Sequence, residues 1–124
     1  MKISLYTSAA IVALSTASAI ADGHLAFGTD GGDFTWDSYN EFAAATDLSG
    51  QTVSITGAWT GNEKEKVEKV FAYFTAATGA EVNYSGSDSF EQDIVVSARS
   101  GSAPNLAAFP QPGLAADMAS QGLL

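Results

Sequence analysis

From Gln51 onward the chain alternates short β-branched or apolar runs with amphipathic stretches of helical period, each closed by glycine or proline, and this alternation most narrows the folds open to it. Thr52-Val53-Ser54-Ile55-Thr56 carries stiff, branched side chains that suit a pleated surface, and it stops at Gly57. Glu81-Val82-Asn83-Tyr84 reads as a second, alternating strand. Pro104 biases Ala103 toward extended backbone, so Leu106-Ala107-Ala108-Phe109 follows as a third strand, and its near-continuous apolar character predicts cover on both faces. Pro110 and Pro112 mark its exit.

Between these runs lie three helices. Val67, Val70, Phe71 and Phe74 recur at helical spacing, with Glu63, Lys64, Glu65, Lys66, Glu68 and Lys69 on the early turns and the outer face. Thr60-Gly61-Asn62-Glu63 matches a capping box, and Gly79, free to take positive φ, predicts the C-terminal stop. Asp88, with Glu91 three residues on, predicts the N-cap of a second helix whose buried stripe is Phe90, Ile94 and Ala98 and which Gly101 ends. Leu114, Ala115, Met118 and Ala119 give a third stripe that closes at Gly122. Strand, helix, strand, helix, strand, helix is the order of an α/β fold with a parallel sheet built from right-handed crossovers. Three strands with two open edges leave surfaces that want partners, so the expectation is a truncated chain.

The N-terminal part is different. Met1-Lys2 is followed by an uncharged run from Ile3 to Leu14 and a small-residue stretch ending Ala19-Ile20-Ala21, the pattern of a secretory signal peptide cleaved after Ala21. The apolar run is shorter than the about 20 residues a bilayer-spanning helix needs. Residues 22–50 form an extension rich in Gly and Asp, in which Trp36, Tyr39 and Ala43 predict a short amphipathic helix from Trp36 to Ala45 packed on the outside of the domain formed by residues 51–124. Five Lys and Arg against 14 Asp and Glu give a net charge of -9, which argues against nucleic acid as a partner. With no cysteine, thiolate chemistry, disulfides and a lipidated N-terminus are excluded, and the absence of that lipid anchor favours a periplasmic location. His24 alone makes no metal site, Asp30, Asp33 and Asp37 lack the spacing of a calcium loop, and Gly57 to Gly61 lacks the Lys-Ser/Thr of a phosphate loop.

Ligands of open parallel α/β sheets bind beyond the carboxyl ends of the strands, where helix N-termini gather. Three loops are thereby singled out: Gly57 to Glu63, with Trp59, Thr60, Asn62 and Glu63; Gly86 to Ser89, with Ser87 and Asp88; and Phe109 to Gly113, with Phe109 and Gln111. Aromatic faces beside hydroxyl, amide and carboxylate groups fit a neutral polyhydroxyl ligand, whose C–H faces stack on rings and whose hydroxyls need donors and acceptors. Each residue also has a structural explanation. Thr60, Glu63 and Asp88 are explained by helix capping, Trp59 by a lid over the core, and Gln111 by an exposed turn. A Glu63–Asp88 pair acting in an exported glycosidase is the enzymatic alternative.

Gly57-Ala58-Trp59-Thr60-Gly61-Asn62-Glu63, the helix through Phe71-Ala72-Tyr73-Phe74, Gly86-Ser87-Asp88-Ser89-Phe90-Glu91-Gln92-Asp93-Ile94, and Gly101-Ser102-Ala103-Pro104-Asn105-Leu106-Ala107-Ala108-Phe109-Pro110-Gln111-Pro112 together resemble the extracytoplasmic solute-binding proteins of ABC sugar transporters, family 1, in their alpha-glucoside-binding branch. Phe34-Thr35-Trp36-Asp37-Ser38-Tyr39 fits the same branch. The resemblance implies the start of the N-terminal lobe of a type II periplasmic binding protein. It also implies an oligosaccharide ligand, a membrane permease as partner, no cofactor, and a monomer that captures solute without altering it. Sugar contacts would come from Trp59, Asn62, Glu63, Phe109 and Gln111, with Ser87 and Asp88 matching the motif after the second strand. A polyamine or peptide is the alternative solute, since the acidic excess would suit a cation. Export of the chain in a bacterium is expected to yield a product beginning at Asp22, which N-terminal sequencing reads directly; a product still carrying Lys2 would contradict cleavage.

Overall fold

The computed structural model describes residues 25–124, so the signal-peptide cleavage site and His24 lie outside the described residues. The elements are α1 (Asp37–Ala45), β1 (Thr52–Gly57), α2 (Gly61–Thr78), β2 (Glu81–Gly86), α3 (Phe90–Arg99), β3 (Leu106–Ala108) and α4 (Pro112–Ser120). The three strands form one sheet in the order β2-β1-β3, and both pairings are parallel. The α/β alternation read from the sequence is therefore the fold, and β1 is its centre.

Side-chain alternation divides the sheet into two faces. Ile55 and Tyr84 sit in register, and α2 covers their face, with the Phe71 ring centroid 5.8 Å from that of Tyr84. Thr56 pairs with Ala107 on the opposite face, where α3 and α4 bring Phe90, Ile94 and Met118 into a cluster, all at most 2% exposed and packed by Ala107, Phe109 and Leu114. The polar residues of β1 on that face are paired rather than orphaned. Thr56 donates its hydroxyl to the Ser85 carbonyl (3.0 Å), and the Ser54 N–H and hydroxyl both donate to Asn105 Oδ1 (2.9 Å each).

Glycine ends α2 by the predicted route. Gly79 has φ of 74°, and its N–H donates to the Thr75 carbonyl. The Thr78 carbonyl accepts from the Leu48 N–H (2.7 Å) and the Glu81 N–H donates to the Gln51 carbonyl (2.9 Å), which fixes the end of the helix beside the start of β1. Outside α2 lies α1, begun by Trp36 at the N-cap position. Tyr39 donates its hydroxyl to the Tyr73 carbonyl (2.9 Å), and the Trp36 ring stacks on Tyr73 at 5.6 Å and 13°.

Four local expectations are corrected. Thr60 stands at the N-cap of α2 but makes no side-chain capping bond, and the capping box with Glu63 does not form, because the Thr60 hydroxyl donates instead to Asp88 Oδ1 at 3.1 Å. Asp88 is not the N-cap of α3: the Phe90 N–H closes a turn onto the Ser87 carbonyl, which leaves Ser89 at that position and turns Asp88 toward Thr60. Val70, expected in the buried stripe of α2, is 65% exposed, since Phe71, Phe74 and Ala77 carry the inward face. Leu106, expected under cover, is 57% exposed, because α2 lies over β1 and β2 and leaves the β3 end of that face open. The strands also differ in length: β2 runs on to Gly86, while β3 stops at Ala108 and leaves Phe109 outside.

Truncating Phe90 to alanine opens a cavity under α3, and it is expected to cost about 3–5 kcal/mol in urea denaturation, whereas Val96→Ala on the exposed face of α3 is expected to change stability by less than about 0.5 kcal/mol.

Candidate functional site

Parallel pairing sets the three strand ends level. Gly57 is opposite Gly86 on one side and Ala108 on the other, so the chain leaves all three strands from one rim. Each exit leads into a helix, α2, α3 or α4, whose first turn has N–H groups without intrahelical acceptors. The loops named from the sequence therefore share that rim.

The first two loops are joined by direct contacts. The Ser87 N–H donates to the Gly57 carbonyl (3.0 Å), and the Thr60 hydroxyl reaches Asp88. Beneath them, the Tyr84 hydroxyl accepts from the Trp59 N–H and donates to the Trp59 carbonyl, both at 3.1 Å. Both backbone groups of Trp59 are thus held by one side chain that the sheet itself anchors. The packing leaves no space for side chains nearby: a Cβ on Gly86 would collide with the Trp59 carbonyl oxygen, and one on Gly57 would lie 2.9 Å from the Tyr84 hydroxyl. Above this clamp Trp59 is 40% exposed, its ring tilted 36° to the Tyr84 ring with centroids 6.3 Å apart.

The remaining candidates fall unevenly around this centre. Asn62 and Glu63 are exposed on the first turn of α2. Ser87 is half-buried and engaged in its own turn, accepting from the Ser89 N–H (3.1 Å) and donating to Asp93 Oδ2 (2.6 Å). Phe109 is half-buried and packs edge-on against Phe90 at 5.4 Å and 77°, so it belongs as much to the core beneath α3 and α4 as to the rim. Gln111 is exposed at the N-cap position of α4, with no side-chain capping bond. The structure brings Trp59, Thr60 and Asp88 together, draws Phe109 inward, and leaves Asn62, Glu63 and Gln111 presented to solvent.

Tyr84 was not among the residues the sequence singled out. Its signal was its place two residues before a glycine at the end of a strand, facing the same side as Val82; its function in the loop depends on Trp59, 25 residues away. Burial pushes the Tyr84 phenol above its ordinary value of 10.0, the hydrogen bond with the Trp59 backbone opposes that shift, and the charges of Glu63 and Glu68 add to it. An open groove of about 960 Å³ lies elsewhere, where the end of α1 meets α2 and the start of β2, lined by residues such as Ala43, Phe71, Ala72 and Thr78 and by none of the rim residues. Among the described residues no three side chains of the metal-ligating types gather, and no helix is long and apolar enough to cross a membrane.

An α/β layer thus presents glycine-bearing loops, an exposed tryptophan and helix N-termini at one rim. Comparison with known proteins finds relatives for this chain. The chain is 48% identical over 91 residues to the alpha-glucosides-binding periplasmic protein AglE of Rhizobium meliloti (strain 1021), a match covering 73% of this chain and 20% of that protein. It is 50% identical over 72 residues to the osmoprotective compounds-binding protein GgtB of Synechocystis sp. (strain ATCC 27184 / PCC 6803 / Kazusa), covering 58% of this chain and 17% of that protein. Over the matched residues the chain is a homologue of these two binding proteins, and it spans about a fifth of their length. No family model matches it, and no solved structure does.

The raised Tyr84 value carries a stability consequence of definite sign. The folded state holds the phenolic proton more tightly than the unfolded chain, so this contribution is complete below pH 10 and declines as pH rises through the folded value. Urea midpoints compared at about pH 8 and about pH 11 are expected to fall less in Tyr84→Phe than in the unaltered protein; an equal fall would refute the assignment.

Proposed function

We propose that this chain belongs to the substrate-binding component of an ABC transporter, which captures an oligosaccharide, an alpha-glucoside, in the periplasm and delivers it unaltered to a membrane permease. The observation that carries the reading is the 48% identity to a protein named for binding alpha-glucosides, on a chain whose exposed Trp59 stands among polar loop tips at one rim of the sheet. A sugar ring would stack its C–H face on Trp59, while Asn62, Glu63 and Gln111 supply amide and carboxylate partners for its hydroxyls. Thr60, Ser87 and Asp88 would shape the loops from which those groups extend. Phe109 would contribute its edge from the core side. Contact of one ligand with this wall and an opposing one would favour a closed population in proportion to the difference in affinity.

Binding without turnover suits the arrangement. In a glycosidase built on Glu63 and Asp88, one carboxylate donates a proton while the other attacks or activates water, yet Asp88 accepts a hydrogen bond from Thr60 and braces a loop. A second reading has its own support: the relative at 50% identity is named for osmoprotective compounds, so a small compatible solute is the competing ligand class. A polyamine or a peptide is a weaker rival, resting on the charge of -9 alone.

Isothermal titration of maltose, sucrose and trehalose into the protein expressed from its complete reading frame is expected to give saturable heat with at least one of the three. Glycine betaine and putrescine complete the panel. Heat with betaine alone would replace the sugar by a compatible solute, heat with putrescine alone would replace it by a cation, and silence with all five would overturn the proposal.

A further inference from the structure

We infer that Tyr84 is a positioning residue for the ligand wall: its hydroxyl, hydrogen-bonded to both backbone groups of Trp59, holds the indole at the height and tilt at which it receives a ligand. The inference rests on the reading of Trp59 as a ligand platform and goes beyond it by assigning the control of that platform to the neighbouring strand.

Three observations converge on it. The two hydrogen bonds at 3.1 Å come from one oxygen and engage the N–H and the carbonyl of the same residue, so they fix the orientation of that residue as well as its position. The phenol is itself packed in place: Tyr84 is 8% exposed, lies in the ladder opposite Ile55, and has Phe71 of α2 packed at 5.8 Å. Finally, the approach depends on glycine: a Cβ on Gly86 would collide with the Trp59 carbonyl oxygen that Tyr84 binds. The end of β2 is thus shaped around the backbone of Trp59, while the residue as a whole is left 40% exposed. A lid over the core would be held through its ring alone. Here the main chain is held as well, and Trp59 stays 40% exposed while its ring leans on that of Tyr84 at 6.3 Å. The Thr60–Asp88 hydrogen bond continues the arrangement one residue further, linking the same loop to the start of α3.

The test uses the protein expressed from its complete reading frame, and the Trp59 signal is read as the difference from a matched Trp59→Phe variant, which subtracts every other tryptophan. Tyr84→Phe keeps the ring and its packing and removes only the hydroxyl. It is expected to raise acrylamide quenching of Trp59, shift its emission, and weaken sugar binding about tenfold while the far-ultraviolet dichroism is unchanged. Gly86→Ala leaves the hydroxyl in place and pushes on the same carbonyl from the side, so it is expected to move the same two readouts and gives an independent reading if Tyr84→Phe folds poorly. Val96→Ala on the exposed face of α3 serves as the control and is expected to move neither readout. Unchanged quenching in both variants would overturn the inference. Changed quenching with unchanged sugar affinity would mean that Tyr84 orders the loop without serving the ligand, which also overturns it. If the unaltered protein binds none of the sugars, the function proposed above fails, and quenching alone then decides whether Tyr84 sets the position of Trp59.

Discussion

Parallel pairing that ends β1, β2 and β3 on the same level is the constraint on which the rest of this structure depends. Gly57 lies opposite both Gly86 and Ala108, so three loops that are far apart in sequence begin side by side. Without that register the Ser87 N–H would not meet the Gly57 carbonyl, and Thr60 would have no carboxylate within reach. Because the side-chain period of a strand is two, a slip of β2 by one residue against β1 would also carry Tyr84 to the face opposite Ile55 and remove the tyrosine from beneath the Trp59 loop.

The two faces of the sheet do different work for this rim. On the side of α3 and α4, the closely packed cluster of Phe90, Ile94 and Met118 anchors the helices whose first turns border the second and third loops. On the side of α2, the tyrosine and phenylalanine contacts are looser but directional: Tyr84 meets Phe71 and the Trp59 backbone, and further out Tyr73 receives Trp36 and Tyr39. The segment preceding α1 is tied onto this outer layer by the Tyr73 hydroxyl, which accepts from the Phe27 N–H (2.7 Å) and donates to the Phe27 carbonyl (3.0 Å). Tyr73 and Tyr84 therefore use the same device, a single phenol binding both backbone groups of an aromatic residue, on the outer and the inner side of α2.

Much of the fold was legible in the sequence because its signals are local. The helical recurrence of Phe90 and Ile94 and the left-handed stop at Gly79 each follow from residues within one or two turns of each other. The capping assignments failed for the opposite reason. Thr60 and Asp88 are both good cap residues, and each would serve its own helix in isolation; brought together across the rim, the hydroxyl of one and the carboxylate of the other bind each other instead. Val70 and Leu106 were misplaced because periodicity tells which residues share a face but not how far the neighbouring layer extends over it. The loops of the candidate site were named correctly as neighbours, since the rule for open parallel sheets needs only the order of strands and helices.

The sequence by itself determined an alternating α/β chain, acidic and free of cysteine, with three glycine- or proline-bearing loops rich in aromatic and polar side chains, because composition and short-range pattern are properties of neighbouring residues. Tertiary structure alone decided that β1 is central, that Phe109 turns toward the core, and that Tyr84 rather than any loop residue governs the backbone of Trp59. Those outcomes rest on contacts between residues 19 or 25 positions apart, whose distances the chain acquires only when the strands pair and the helices pack across them.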